Sequence, residues 1–202
     1  MNFDLTDDQR AIQRTAKDFL AARYRPEEVR RLALEDERGF TDEQWAQISE
    51  LGWPALVVPE ADGGLGLGVV ELAVVQEQLG YALAPSPFVS TIAAGLLLAA
   101  AGDEAQRERW LGPIATGEQR GAVAIVDAGP NELAVTGGSL TGTKIAVPDA
   151  GSADVIVVAA SDGRHFLVEA GAEGVSIEPA RALDPSRKLF TVHLHGAEGH
   201  QL

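Results

Sequence analysis

The hydrophobic pattern changes period once, between Gly117 and Gly121, and that change restricts the chain to helices first and strands afterwards. Before it, apolar residues recur at helical spacing. Ile12, Ala16, Phe19 and Leu20 share one face, while Arg14, Lys17 and Asp18 fall off it. Thr6-Asp7-Asp8-Gln9 and Thr41-Asp42-Glu43-Gln44 have the form of capping boxes, a polar cap with a glutamine three residues on. The second leads a helix carrying Trp45, Ile48 and Leu51, stopped by Gly52. A third helix is expected over 68–79, ending at Gly80, and a fourth, very apolar one after Pro85-Ser86-Pro87 and up to Gly102. Asp103 caps a fifth, with Trp110, Leu111 and Ile114.

Beyond Gly121 the runs are short, β-branched and separated by turn residues. They cover 122–126, 133–136, 140–147, 155–159, 165–168, 175–177 and 189–195, with Gly137-Gly138, Pro148-Asp149-Ala150-Gly151 and Asp162-Gly163 between them. Helices followed by strands argue for an α+β fold rather than βαβ winding. The expected division is a helical domain over 1–119 and a small β-barrel or sandwich over 120–202.

Composition excludes several functions. The 202 residues contain no cysteine, so disulfides, thiolate catalysis and cysteine metal sites are out. Thirty acids against 16 bases give a net charge of -14, with no lysine or arginine block to hold nucleic acid. The first residues lack a basic segment followed by an apolar one. The longest apolar run, 91–101, falls short of the roughly 18 residues a membrane span needs. A cytoplasmic protein without a membrane partner is the expectation.

The stretch Val57-Val58-Pro59-Glu60-Ala61-Asp62-Gly63-Gly64-Leu65-Gly66-Leu67-Gly68 invites a nucleotide-loop reading. A dinucleotide fingerprint needs a strand, G-x-G-x-x-G and a helix within a βαβ unit, whereas the spacing here is G-x-G-x-G and more helix follows. No lysine stands where a P-loop would need one. A loop whose glycines permit positive φ and close packing is preferred to a phosphate cradle.

With its neighbours, this stretch resembles the acyl-CoA dehydrogenase family. Leu5-Thr6-Asp7-Asp8-Gln9 is similar to the family's opening, and residues 51–66 reproduce its Leu-Gly-Trp-x-x-Leu-x-x-Pro-Glu-x-x-Gly-Gly-Leu-Gly pattern. Glu77-Gln78-Leu79-Gly80, the Pro-x-Pro break, the helix from Gly102 to Glu118 and Leu140-Thr141-Gly142-Thr143-Lys144 follow in the family's order. Ala153-Asp154 and Asp184-Pro185-Ser186-Arg187 also sit where the family has similar residues.

The resemblance implies an FAD-dependent oxidoreductase that desaturates an acyl-CoA thioester between Cα and Cβ. It implies a homo- or hetero-oligomer with electron-transfer flavoprotein as acceptor. It also implies a third, helical domain carrying the catalytic glutamate beyond these residues, so no catalytic residue is assigned here. The chain is then a fragment, one half of a split enzyme, or a non-catalytic or regulatory subunit pairing with a complete partner.

Against the family's Leu-Thr-Glu-Pro-x-x-Gly-Ser-Asp, this chain has Ile125-Val126-Asp127-Ala128-Gly129-Pro130. Against Lys-x-Trp-Ile-Thr/Ser it has Lys144-Ile145-Ala146-Val147-Pro148. Both hydroxyls and the aromatic ring are replaced. The resemblance therefore places cofactor-binding candidates at Val126, Asp127, Ala146, Val147 and Pro148, with backbone contacts able to survive the substitutions; plain sheet core is the competing reading.

Other residues are read more plainly. His193 and His195 share a strand face and form a possible metal pair with His200 or Glu198, but the spacing is uncharacteristic and no metal site is assigned. Arg187 is open to a cofactor phosphate or to a structural partner such as Asp184, and the structural role is favoured. Trp45, Trp53 and Trp110 are expected in the core. Glu60 is expected to shape the glycine loop rather than act as a base.

Overall fold

A computed structural model describes residues 4–129 and 133–202. Among them, six helices precede nine strands. The helices are α1 (Asp7–Arg23), α2 (Pro26–Glu35), α3 (Asp42–Glu50), α4 (Val69–Tyr81), α5 (Phe88–Ala101) and α6 (Glu104–Thr116). The caps act as the sequence predicts: the Thr6, Thr41 and Asp103 side chains each accept from the backbone N–H three residues on, and Gln9, Gln44 and Gln106 reach back. The helix α2 was not among the five expected. Pro26 opens it, but seven residues of mostly charged or exposed surface leave only Leu32 and Ala33 fully buried, too few to mark a period.

Helices α1 to α5 close around Ala16, Leu20, Leu32, Ile48, Val75 and Phe88. Trp53 stands edge-on to Phe19 and to Phe88, with ring centroids 5.6 and 6.2 Å away. Trp45 donates its indole N–H to the Gly117 carbonyl at 2.7 Å, tying α3 to the end of α6. All three tryptophans are buried, as expected.

The strands are β1 (Gly121–Ala124), β2 (Val126–Asp127), β3 (Ala134–Thr136), β4 (Ser139–Pro148), β5 (Val155–Ala159), β6 (His165–Glu169), β7 (Val175–Ala180), β8 (Leu189–Glu198) and β9 (His200–Gln201). One sheet has the order β1-β5-β6-β9, and the other β2-β4-β8-β7 with β3 also on β4. Only β1 and β5 run parallel. The two sheets enclose a core of Ala122, Ile156, Val158, Phe166, Leu140 and Val192 among others.

Strand β5 explains how the two halves join. Its side chains alternate, so Ile156 and Val158 enter the inter-sheet core while Val155 and Val157 pack with Leu98, Trp110, Leu111 and Ile114 of α5 and α6. A strand buried on both faces has no polar side, which is why residues 155–159 read as a continuous apolar run.

The glycine stretch is a loop closed on its own backbone. The N–H groups of Gly64, Leu65, Gly66 and Leu67 donate to the carbonyls of Pro59, Ala55, Val58 and Leu56 at 2.8–3.0 Å. Gly68 N–H goes to the Glu71 carboxylate at 3.0 Å. A phosphate cradle needs free amides, and these five are committed. Gly66 lies at φ +59°, and a Cβ at Gly64 would stand 2.0 Å from the Val58 carbonyl oxygen, so both positions require glycine.

Candidate functional site

The corner where the chain leaves one sheet for the other holds most of the residues singled out from the sequence. β1 pairs with β5, β2 pairs with β4, and Ile125 lies between them as the switch residue. Val126 faces Ile145 in the ladder, and Asp127 faces Lys144. Ile125 and Val126 expose 65% and 52% of their surface, with Ile145 also exposed beside them. Val126 and Ile145 stand opposite each other in the ladder with Ile125 exposed next to them, apolar surface of the kind that meets an apolar ligand or another chain.

On β4 the register against β8 slips between Lys144 and Val147. Ala146 sits in that slip at φ +53°, a conformation costly for a residue with a Cβ, and has no ladder partner among the described residues. The bulge presents backbone to the exterior beside the apolar patch. Val147, next in sequence, turns inward, pairs with Phe190 and is only 1% exposed, so it belongs to the inter-sheet core behind the bulge. Pro148 is partly buried and pairs with Leu189. Of the residue run read against the family motif, Pro130 lies outside the described residues.

Lys144 is wholly buried at this corner. Its ammonium stands 2.8 Å from the Asp127 carboxylate and donates to the Ile125 carbonyl at 3.1 Å. Sequence reasoning treated Lys144 only as part of a motif, because a lysine in a strand ordinarily marks the solvent side.

Asp149 follows immediately. It is 5% exposed, sits at φ +58°, and accepts from the Ser90 hydroxyl of α5 and from Arg187 at 3.0 Å. Burial pushes its carboxyl above the usual carboxylate range, against the Arg187 charge and the Ser90 hydrogen bond, which act to lower it. Arg187 therefore has the structural role expected, but its hydrogen-bonded partner is Asp149 rather than Asp184. Asp184 takes the Ser186 N–H and hydroxyl instead, at 2.9 and 2.6 Å, in a tight local turn. The neighbouring Lys188 donates to the Ala33 carbonyl at the end of α2, at 2.8 Å.

His193 and His195 do share a face, with rings stacked 6.2 Å apart, and His193 Nδ1 lies 3.1 Å from the Thr143 hydroxyl. Among the described residues, no group of three or more His, Cys, Asp or Glu side chains is arranged to hold a metal ion. Glu60 lies exposed at the foot of the glycine loop. On the helical side, α1, α2 and the end of α4 frame an apolar groove of about 710 Å³, bordered by Leu20, Tyr24, Val29, Leu34, Tyr81 and Leu83.

The model of the acyl-CoA dehydrogenase N-terminal domain matches residues 6–118, more than half of the chain. The chain belongs to the acyl-CoA dehydrogenase family. It is 31% identical over 185 residues to acyl-CoA dehydrogenase IpdE2 of Mycobacterium tuberculosis, covering 91% of this chain and 50% of that protein. It superposes on the ChsE4-ChsE5 complex from Mycobacterium tuberculosis with a TM-score of 0.86 and 27% identity, over 98% of this chain and 56% of that one. A Bacillus anthracis acyl-CoA dehydrogenase complexed with FAD matches with a TM-score of 0.81 and 25% identity, over 97% of this chain and 37% of that one. The chain spans about half the length of the curated relatives it matches. As in the structures of the acyl-CoA dehydrogenase family, a helical domain precedes a β domain. No helix among the described residues is long and apolar enough to cross a membrane.

Proposed function

We propose that this chain supplies the N-terminal helical and middle β domains, dividing at 119/120, of a cytoplasmic FAD-dependent acyl-CoA dehydrogenase. The reaction is α,β-desaturation of an acyl-CoA thioester, with electron-transfer flavoprotein as the electron acceptor and a homo- or hetero-oligomer as the working form. One observation carries the reading: in a chain of this family, the β1–β2 switch and the Ala146 bulge put an apolar patch and ladder-free backbone side by side.

These residues fit a flavin ring in two respects. Val126 and Ile145, opposite each other in the ladder, offer apolar surface to an aromatic plane, with Ile125 exposed next to them. The backbone at Val126, Asp127 and Ala146, with the rigid Pro148, offers polar groups at its rim while Val147 packs behind it. FAD, when bound, supplies the redox chemistry. The chain's own part is to orient the ring, keep water from its face and hold the acyl-CoA nearby. No hydroxyl side chain stands at positions 126 or 146–148, so stabilisation of charge on the reduced ring would fall to backbone N–H groups.

A second reading has its own support. The carboxylate at the corner, Asp127, is paired with Lys144 and is not free to take a proton from a substrate. That favours a chain whose base comes from elsewhere: from further residues of the same polypeptide, or from a complete dehydrogenase with which this one pairs as a non-catalytic or regulatory subunit. The heteromeric ChsE4-ChsE5 relative is consistent with pairing.

A visible spectrum tests both. Flavin bands in the purified chain support the first reading, while bleaching by an acyl-CoA without further residues or a second chain would contradict a base supplied from elsewhere. Bands and bleaching only after co-expression with a second chain support the other. An acyl-CoA oxidised neither way, with no bound flavin, removes both.

A further inference from the structure

We propose that Lys144 is a positioning residue: its buried ammonium staples the sheet-switching corner in the shape that the flavin ring meets. The inference rests on the flavin reading given above, but the staple itself is a property of the chain. Where a strand leaves one sheet to join another, the switch residue loses its ladder partner, and its carbonyl needs another donor. Ile125 is that residue. It lies outside both β1 and β2, and its carbonyl takes its hydrogen bond from Lys144 at 3.1 Å. The same ammonium stands 2.8 Å from Asp127, two residues on, so one charge grips the chain on either side of Val126.

The staple also spans the two halves of the candidate site. Lys144 lies on β4 directly before the bulge at Ile145 and Ala146, and its grip lies on β2. An ammonium fully removed from water is a strong cost unless its partners are held in place, so its burial at 0% exposure commits both strands to one relative position. A surface lysine could be exchanged freely; this one adds a buried side-chain tie to the two-residue β2–β4 ladder and extends it to the Ile125 carbonyl. The ladder continues outward from the staple: the Ala128 N–H donates to the Thr143 carbonyl at 2.9 Å, which makes that amide a reporter of the corner.

Two variants separate positioning from mere stability, each assayed by thermal melting, by exchange of the Ala128 amide and by quenching of free FAD fluorescence on addition of the chain. Lys144→Met alone would leave the half-buried Asp127 without its cation and would mix lost stability with lost positioning. The pair Lys144→Met with Asp127→Leu removes both charges and keeps apolar volume, which commonly preserves or improves stability. The expected result is a melting temperature near that of the unaltered chain, with Ala128 exchange raised and FAD affinity lowered by about tenfold each. Asp127→Asn keeps the ammonium on the Ile125 carbonyl but removes the counter-charge of a wholly buried cation, so its melting temperature should fall. At equal distance below each chain's melting temperature, its Ala128 exchange should stay nearer the original rate than the double variant's.

Wild-type Ala128 exchange and FAD affinity in the double variant would overturn the proposal. So would an Asp127→Asn chain that, at equal distance below its own melting temperature, exchanges at Ala128 as fast as the double variant, since the Ile125 bond would then carry nothing. If the unaltered chain does not quench FAD at all, the reading in which this chain binds flavin by itself fails. The exchange rates still decide whether Lys144 holds the corner.

Discussion

Arg187 Nη2 lies 3.0 Å from Asp149 Oδ2, and this contact joins the loop before β8 to the end of β4. The same carboxylate oxygen accepts from Ser90 in α5, so an acid two residues past Val147 binds the helical half to the β half. Asp149 is thus a fixed point between the helices and the exposed corner.

Removing the cation should be felt in stability. Arg187→Met leaves Asp149 buried with only the Ser90 hydroxyl. Because the arginine side chain is 38% exposed, the expected loss is about 1–3 kcal/mol rather than that of a wholly buried pair. Urea unfolding of the two chains measures it; an unchanged midpoint and slope would mean that water replaces Arg187 without cost.

The Asp149 carboxyl also gives stability a pH dependence of defined sign. Its pKa is raised in the folded chain by burial, so the folded state holds the proton longer than the unfolded one. That contribution is present below the ordinary carboxylate range and is lost as pH rises through the raised folded value. The unfolding free energy of the unaltered chain minus that of Asp149→Asn should therefore fall with rising pH over that interval. A difference that stays flat or rises would show that the Arg187 charge outweighs burial.

At the glycine loop, Gly64→Ala should destabilise the helical domain by about 1–3 kcal/mol, because the added methyl meets the Val58 carbonyl and the loop backbone has to move. Thermal unfolding checks this. A fully stable alanine variant would mean that the closed amide pattern is looser than the structure places it.

The architecture was legible where local chemistry repeats a simple rule. Thr6, Thr41 and Asp103 mark helix starts because a side-chain oxygen satisfies an N–H that a helix leaves open. Residues 155–159 mark a buried strand because both its faces are covered. Helix α2 escaped because its buried side is narrow, and β9 because two residues carry no period. At the candidate site, the segments 125–127 and 144–148 could be named, but their form could not. An alanine at positive φ has no sequence signal, since alanine ordinarily avoids that region. Lys144 read only as part of a motif, and Asp149 as part of a turn. Their burial depends on the Ile125 carbonyl, Ser90 and Arg187, which lie between 19 and 59 residues away in sequence.

The central claim is that the switch at 125–127 and the bulge at 145–148 face a flavin. Amide NMR of the isotopically labelled chain during titration with FAD tests it most directly. The account predicts shifts concentrated at Val126, Asp127, Ala128, Ala146 and Val147, with the glycine loop at Gly64 to Gly68 unmoved. Saturating FAD that leaves the corner amides in place, or that moves the glycine loop instead, would contradict it.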